Sequence, residues 1–204
     1  MVAACFLSSS AFAAFNVLID VNSGKPPKDI MVVFDKTKDP KSFKPVDRKG
    51  NAEFSFAEDG AIVIKINQRG PSELVFPFPE VMDIAKANLV LLTCKLEGQS
   101  RTSWQGNWGQ WTPYTGSKLW WGAFTTDTAG TRSASGAGLD SSSPGGFLPT
   151  EMTTIRLPAM FFARRGEGWA DPSQTNALML LIGNIRDTAE REFTLTIDRI
   201  SVAE

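Results

Sequence analysis

Residues 52–67 read AEFSFAEDGAIVIKIN. In the second half Ile62, Ile64 and Ile66 alternate with Val63, Lys65 and Asn67. That period of two turns one face of a strand to a core and the other toward water. Between the two runs stands Glu58-Asp59-Gly60, and an Asp-Gly pair flanked by such runs predicts a hairpin. Antiparallel pairing therefore organises at least this part of the chain.

Outward from the hairpin the same grammar continues. FNVLIDV (15–21) and IMVVF (30–34) are short and rich in β-branched residues. ELVFPFP (73–79) carries two prolines and fits an edge strand or a strand end. ANLVLLTCKLEG (87–98) is a longer apolar run suited to the middle of a sheet. KLWWGAFTTD (118–127), TTIRLP (153–158), NALMLLIGNI (176–185) and EFTLTIDRISV (192–202) follow. Helix signals are few: residues 79–86 and 171–177 each predict one turn. Many short strands punctuated by Gly, Pro, Asn and Asp predict an all-β fold, an antiparallel sandwich with two sheets and little helix. Residues 128–146, TAGTRSASGAGLDSSSPGG, read as a long loop, because strand-like sequence resumes after them.

Composition limits the chemistry. The chain has 204 residues, 42% hydrophobic and 21% charged, with a formal net charge of −1. Such a balance gives no general attraction to nucleic acid or to anionic membranes. No run approaches the roughly 20 apolar residues that span a bilayer. Histidine is absent, which removes the commonest general base and the commonest transition-metal ligand. The P-loop and Gly-x-Ser-x-Gly patterns are absent too. A non-catalytic role is expected.

The opening MVAACFLSSSAFAAF is apolar and small-residue-rich, and Ala11-Phe12-Ala13 forms an A-x-A pattern. Residues 1–13 are expected to be a secretory signal, without its basic start, and residues 14–204 one sandwich domain. Secretion, to the cell exterior or a periplasm, follows from that. Cys94, inside an apolar run, is expected to be a buried small hydrophobe. Between Lys25 and Lys49 there are eight basic and four acidic residues, read as a solvated face or as a contact for an acidic polysaccharide.

Residues 103–121, SWQGNWGQWTPYTGSKLWW, hold five of the six tryptophans and the single tyrosine. Trp104, Trp108, Trp111 and Tyr114 are spaced to line one face of a helix, but Gly106, Gly109 and Pro113 stand between them. A loop is expected, and loops lie on the surface, so these rings either cap the core or form a wet platform. Flat indole faces suit a sugar ring, with Gln105, Asn107 and Gln110 to bond its hydroxyls. Trp120 and Trp121 are adjacent in a strand, so one is expected in the core and the other on a concave outer face. Trp169, in GEGWADP, is a separate candidate that also suits packing under its own loop.

Taken together, NLVLLTCKLEG, LWWGAF, TTIRLPAMFF, GEGWADP, ALMLLIGNI and FTLTIDRISVAE resemble the β-jelly-roll carbohydrate-binding modules of the galactose-binding-domain-like class. The resemblance runs from Phe15 to Glu204 and implies a monomeric module that binds a polysaccharide or oligosaccharide. It also implies a structural calcium ion between first and last strands, at Asp20 and Asp198, with Asn22 or carbonyls beside them. Arg199 after Asp198 departs from the paired acids of that pattern. The fold hosts other roles, so a protein-interaction or assembly module stands as the alternative, with a histidine-free hydrolase or lyase behind it.

Overall fold

A computed structural model describes residues 27–38, 40–67, 72–97, 119–133, 148–184 and 192–204, with backbone alone at 67, 119, 120, 183, 184 and 192. Ten strands are described: β1 (Asp29–Asp35), β2 (Val46–Asp47), β3 (Ala52–Phe56), β4 (Ile62–Asn67), β5 (Ser72–Met82), β6 (Leu89–Glu97), β7 (Leu119–Asp127), β8 (Thr153–Pro158), β9 (Thr175–Asn184) and β10 (Glu192–Ala203). Every described ladder is antiparallel. Sheet A runs β3-β4-β10-β6-β8, with β1 also on β10; sheet B runs β2-β5-β9-β7. The expected antiparallel sandwich is the observed fold.

The hairpin forms as read, with Phe56 opposite Ile62 and Ala52 opposite Ile66. Gly60 supplies the turn with φ +90°, a value that only glycine adopts readily. β6 lies between β10 and β8, the central place expected of it. β5 behaves as an edge along its proline half. β2 pairs only with Leu74 and Val75, so the missing N–H groups of Pro77 and Pro79 interrupt no second ladder. Residues 79–86 form less helix than expected. The strand continues to Met82, and only Ile84–Lys86 makes a 3-10 turn, capped by Asp83. Pro172–Gln174 is the other expected turn, capped by Asp171. FNVLIDV lies outside the described residues.

The core is what the alternation predicts. Ile62, Ile64 and Ile66 meet Phe193, Leu195 and Ile197 from β10, and Val90, Leu92, Cys94 and Leu96 from β6. Sheet B answers with Leu74, Phe76, Phe78, Leu178, Leu180, Ile182, Trp121 and Ala123. A register shift between Ile197 and Arg199 changes the phase of β10, so that Ile200 and Val202 also point inward. Cys94 is fully buried, and desolvation pushes its thiol up to about 12. It is an inert apolar filler rather than a nucleophile.

Candidate functional site

Alternation that sends Leu178, Leu180 and Ile182 inward sends Ala177, Met179 and Leu181 to the outer face of sheet B. Register fixes their neighbours. Met179 lies between Val75 and Phe124, Leu181 between Glu73 and Gly122, and Ala177 between Pro77 and Thr126. Ala177, Met179 and Leu181 are all buried although they point away from the core.

Both edges of sheet B close over this face. The Phe124 ring folds back over Gly122, where a Cβ would sit 2.9 Å from the ring. The Arg132 guanidinium lies 4.6 Å from the Phe124 centroid, a cation–π contact. From the opposite edge Arg48, just beyond β2, donates to the Gly130 carbonyl at 3.3 Å. Three inter-strand steps of about 4.8 Å separate those edges in a flat sheet. One arginine reaches across because the turn after β7 curls over the outer face. Lys49 Nζ and Glu73 Oε1, 3.2 Å apart, add charge to its β2 side.

Asp127 holds the turn in shape. Its Oδ1 accepts from the Ala129 and Thr131 amides at 3.0 and 2.8 Å, and its Oδ2 accepts from the Asp171 amide at 3.1 Å. Ala170 N–H donates to the Arg132 carbonyl at 3.1 Å. The loop that carries Trp169 is thus tied to the turn that carries Arg132. None of these contacts was foreseen in the sequence. The detectable signal was local: FTTDTAGTR places Asp two and four residues before amides it can accept from, and GEGW spaces two glycines for a turn.

Of the ring residues expected to form a ligand platform, Trp104, Trp108, Trp111 and Tyr114 lie outside the described residues, as do Gln105, Asn107 and Gln110. Trp120 pairs with Gly183 in the β7–β9 ladder; its side chain is outside the description. Trp121 is the strand tryptophan that enters the core, at 2% exposure. That corrects its inclusion among ligand-binding residues: its strand parity matches Ala123 and Thr125, and its ring is packed away from any ligand. Trp169 is 45% exposed.

Asp198 is held at 2.8 Å by Lys36, which also grips Asp59 at 2.8 Å. Arg199 bonds Asp29 and lies 3.5 Å from Asp35. The first and last described strands are therefore locked by two cations set among four aspartates. Asp20, the other expected calcium ligand, and Asn22 lie outside the described residues. Among the described residues no three His, Cys, Asp or Glu side chains converge as a group that could hold a metal ion. The basic stretch 25–49 is partly committed in the same way, through Lys28 to Glu204, Lys36, and Lys49 to Glu73.

The two partners raise Lys36 to about 12 from its ordinary 10.5. A raised folded-state value means stability that is complete below pH 10.5 and is lost as pH climbs through 12. The gap in urea midpoint between the natural protein and Lys36→Met is thus expected to be constant from pH 6 to about 10 and to shrink above that. A gap that widens above pH 10.5 contradicts the lock.

Among the described residues, three aspartates are held toward the ionised form. Thr37 holds Asp35 down, Lys36 holds Asp59 down, and Ser173 holds Asp171 down. A glycosidase acid needs the opposite displacement, so none of these three aspartates is suited to that task.

No protein-family model matches the chain, and no curated protein matches it. Solved structures with a similar layout include carbohydrate-binding modules and parts of larger proteins such as an exo-β-agarase. A family 11 module from Clostridium thermocellum, in complex with a β-1,3-1,4-mixed-linked tetrasaccharide, is 11% identical, with a TM-score of 0.44 over 85% of this chain and 94% of that one. A family 30 module is 12% identical, with a TM-score of 0.47 over 85% and 98%. The C-terminal family 22 module of Clostridium thermocellum Xyn10B is 10% identical, with a TM-score of 0.40 over 88% and 98%. At such identities and scores no residue role and no ligand crosses to this chain. No described helix is long and apolar enough to cross a membrane.

Proposed function

We propose that this protein binds a carbohydrate without catalysing a reaction on it, outside the cell or in a periplasm, as a monomer. The supporting observation is the position of the aromatic segment's two anchors. Glu97 ends β6 in sheet A and Leu119 begins β7 in sheet B. They stand at the rim where the four-residue link 68–71 joins β4 to β5 and where β9 hands over to β10. The anchors of the segment with Trp104, Trp108, Trp111, Tyr114, Gln105, Asn107 and Gln110 therefore lie at one rim of the sandwich. Aromatic stacking with amide hydrogen bonds is the chemistry that recognises a sugar ring and its hydroxyls.

The test is single replacement of Trp104, Trp108 and Trp111 by Ala, with affinity measured on a polysaccharide array. At least one variant is expected to lose about tenfold or more in affinity, as truncated aromatic anchors do, with its urea midpoint unchanged. Absence of any glycan binding by the natural protein defeats the reading. So does a loss of stability of several kcal/mol without a binding change, of the size seen for core truncations (about 3–5 kcal/mol). Capture of a protein partner that sugar fails to release would establish the interaction-module alternative instead.

A further inference from the structure

We propose that Trp169 forms a second, independent saccharide-binding shelf, at the rim of the sandwich opposite the anchors of the tryptophan-rich segment. The inference rests on the carbohydrate-binding reading and adds to it a site, a residue and a valency.

The shelf is built from the backbone up. Gly166-Glu167-Gly168-Trp169 is a turn closed by the Trp169 N–H to the Gly166 carbonyl, at 3.2 Å. Gly168, at its third position, has φ +78°, as a type II turn requires. The indole lies over Gly166, where a Cβ would stand 2.8 Å from Cδ1 and 3.4 Å from Nε1. A side chain at 166 would push the ring off its seat.

One side of the ring thus rests on bare backbone while 45% of the residue stays exposed. The loop is fixed on its far side. Ala170 and Pro172 are buried, Ala170 N–H bonds the Arg132 carbonyl, and Asp171 N–H bonds Asp127. A ring seated in this way binds without a large ordering cost.

The surroundings suit a sugar better than a purely apolar partner. Arg164, Arg165 and Glu167 are exposed on the same loop, with donors and acceptors for hydroxyl groups. Their mixed sign favours a neutral ring over an anionic one. The loop runs between Pro158, which ends β8, and the start of β9 at Thr175. Those ends lie opposite the rim that holds Glu97 and Leu119. A second site lets one molecule hold a second stretch of polysaccharide, which raises retention wherever both sites can be engaged at once.

The indole N–H signals of the ¹⁵N-labelled protein report on this directly, with Trp169→Phe identifying the Trp169 resonance by its loss. Titration with cellohexaose, xylohexaose and mannohexaose is expected to shift that resonance saturably with at least one sugar. Trp169→Ala is expected to weaken retention on the matching insoluble polysaccharide by about tenfold, with Trp169→Phe within about threefold of the natural protein. The urea midpoint should not move. If other indole signals shift while that of Trp169 stays still, the shelf is refuted and the carbohydrate-binding reading stands. If no indole signal shifts with any sugar, both are refuted. A midpoint lowered by Trp169→Ala, with retention unchanged, shows the indole to be structural and also refutes the shelf.

Discussion

Gly60→Ala is expected to destabilise the protein by about 3–5 kcal/mol, combining left-handed strain with overpacking against backbone. The position has φ +90°, which costs any residue with a Cβ. The added methyl would also fall far inside contact distance of the Lys36 carbonyl oxygen and 2.9 Å from Pro40 Cγ. A flexible side chain could swing away, but the Lys36 carbonyl belongs to a residue whose own N–H bonds the Asp198 carbonyl at 3.0 Å. Relief therefore means moving the β3–β4 turn away from the β1–β10 junction. Urea unfolding measures the effect, and a loss below about 1 kcal/mol would show that the turn yields freely.

Asp127→Ala is expected to cost about 3 kcal/mol, because three amides lose their acceptor at once. Asp127 is 7% exposed, so water does not readily replace it around the Asp171 amide. Asp127→Asn keeps one accepting oxygen, and its loss should be about half as large. The consequence extends beyond stability, since the same carboxyl joins the turn of Arg132 to the loop of Trp169. Hydrogen exchange at the amides of 129, 131 and 171 should speed up in the alanine variant before the rest of the sandwich is affected. Unchanged exchange at all three would show that the carboxyl is not their anchor.

The sandwich was legible where alternation is strict and less so where it is broken. Ile62 to Asn67 announced its inward face directly, and ANLVLLTCKLEG announced a central strand by its unbroken apolarity. Residues 79–86 misled: the short stretch PEVMDIAK was read as one turn of helix, yet the ladder to β9 holds Met82 opposite Thr175. Tertiary pairing overrode a weak local preference there. For the site, the sequence divided Trp120 and Trp121 between two faces but could not assign them. Which one enters the core depends on the register of β7 against β9, a non-local fact. The Arg48–Gly130 bridge joins residues 82 apart in the chain, and no short-range pattern encodes it; the Arg132–Phe124 stack spans a single turn, but its geometry depends on how that turn curls. Asp198 was read as a calcium ligand, and the Lys36 bond was invisible because it depends on where the turn after β1 meets β10.

One strand sets the order of assembly. β10 pairs with β6 along one side and, along the other, with β4 through Ile197 and with β1 from Arg199 onward. It is also the last of the described strands to leave the ribosome. Until it emerges, β1, β4 and β6 have no common partner, and Asp29 cannot meet Ala203. Contacts that distant along the chain are slow to form, and waiting strands present open edges to other chains. The nascent protein is therefore expected to need shielding from its neighbours until β10 has emerged. Overproduction faster than that shielding should yield aggregates even though the finished sandwich is well packed.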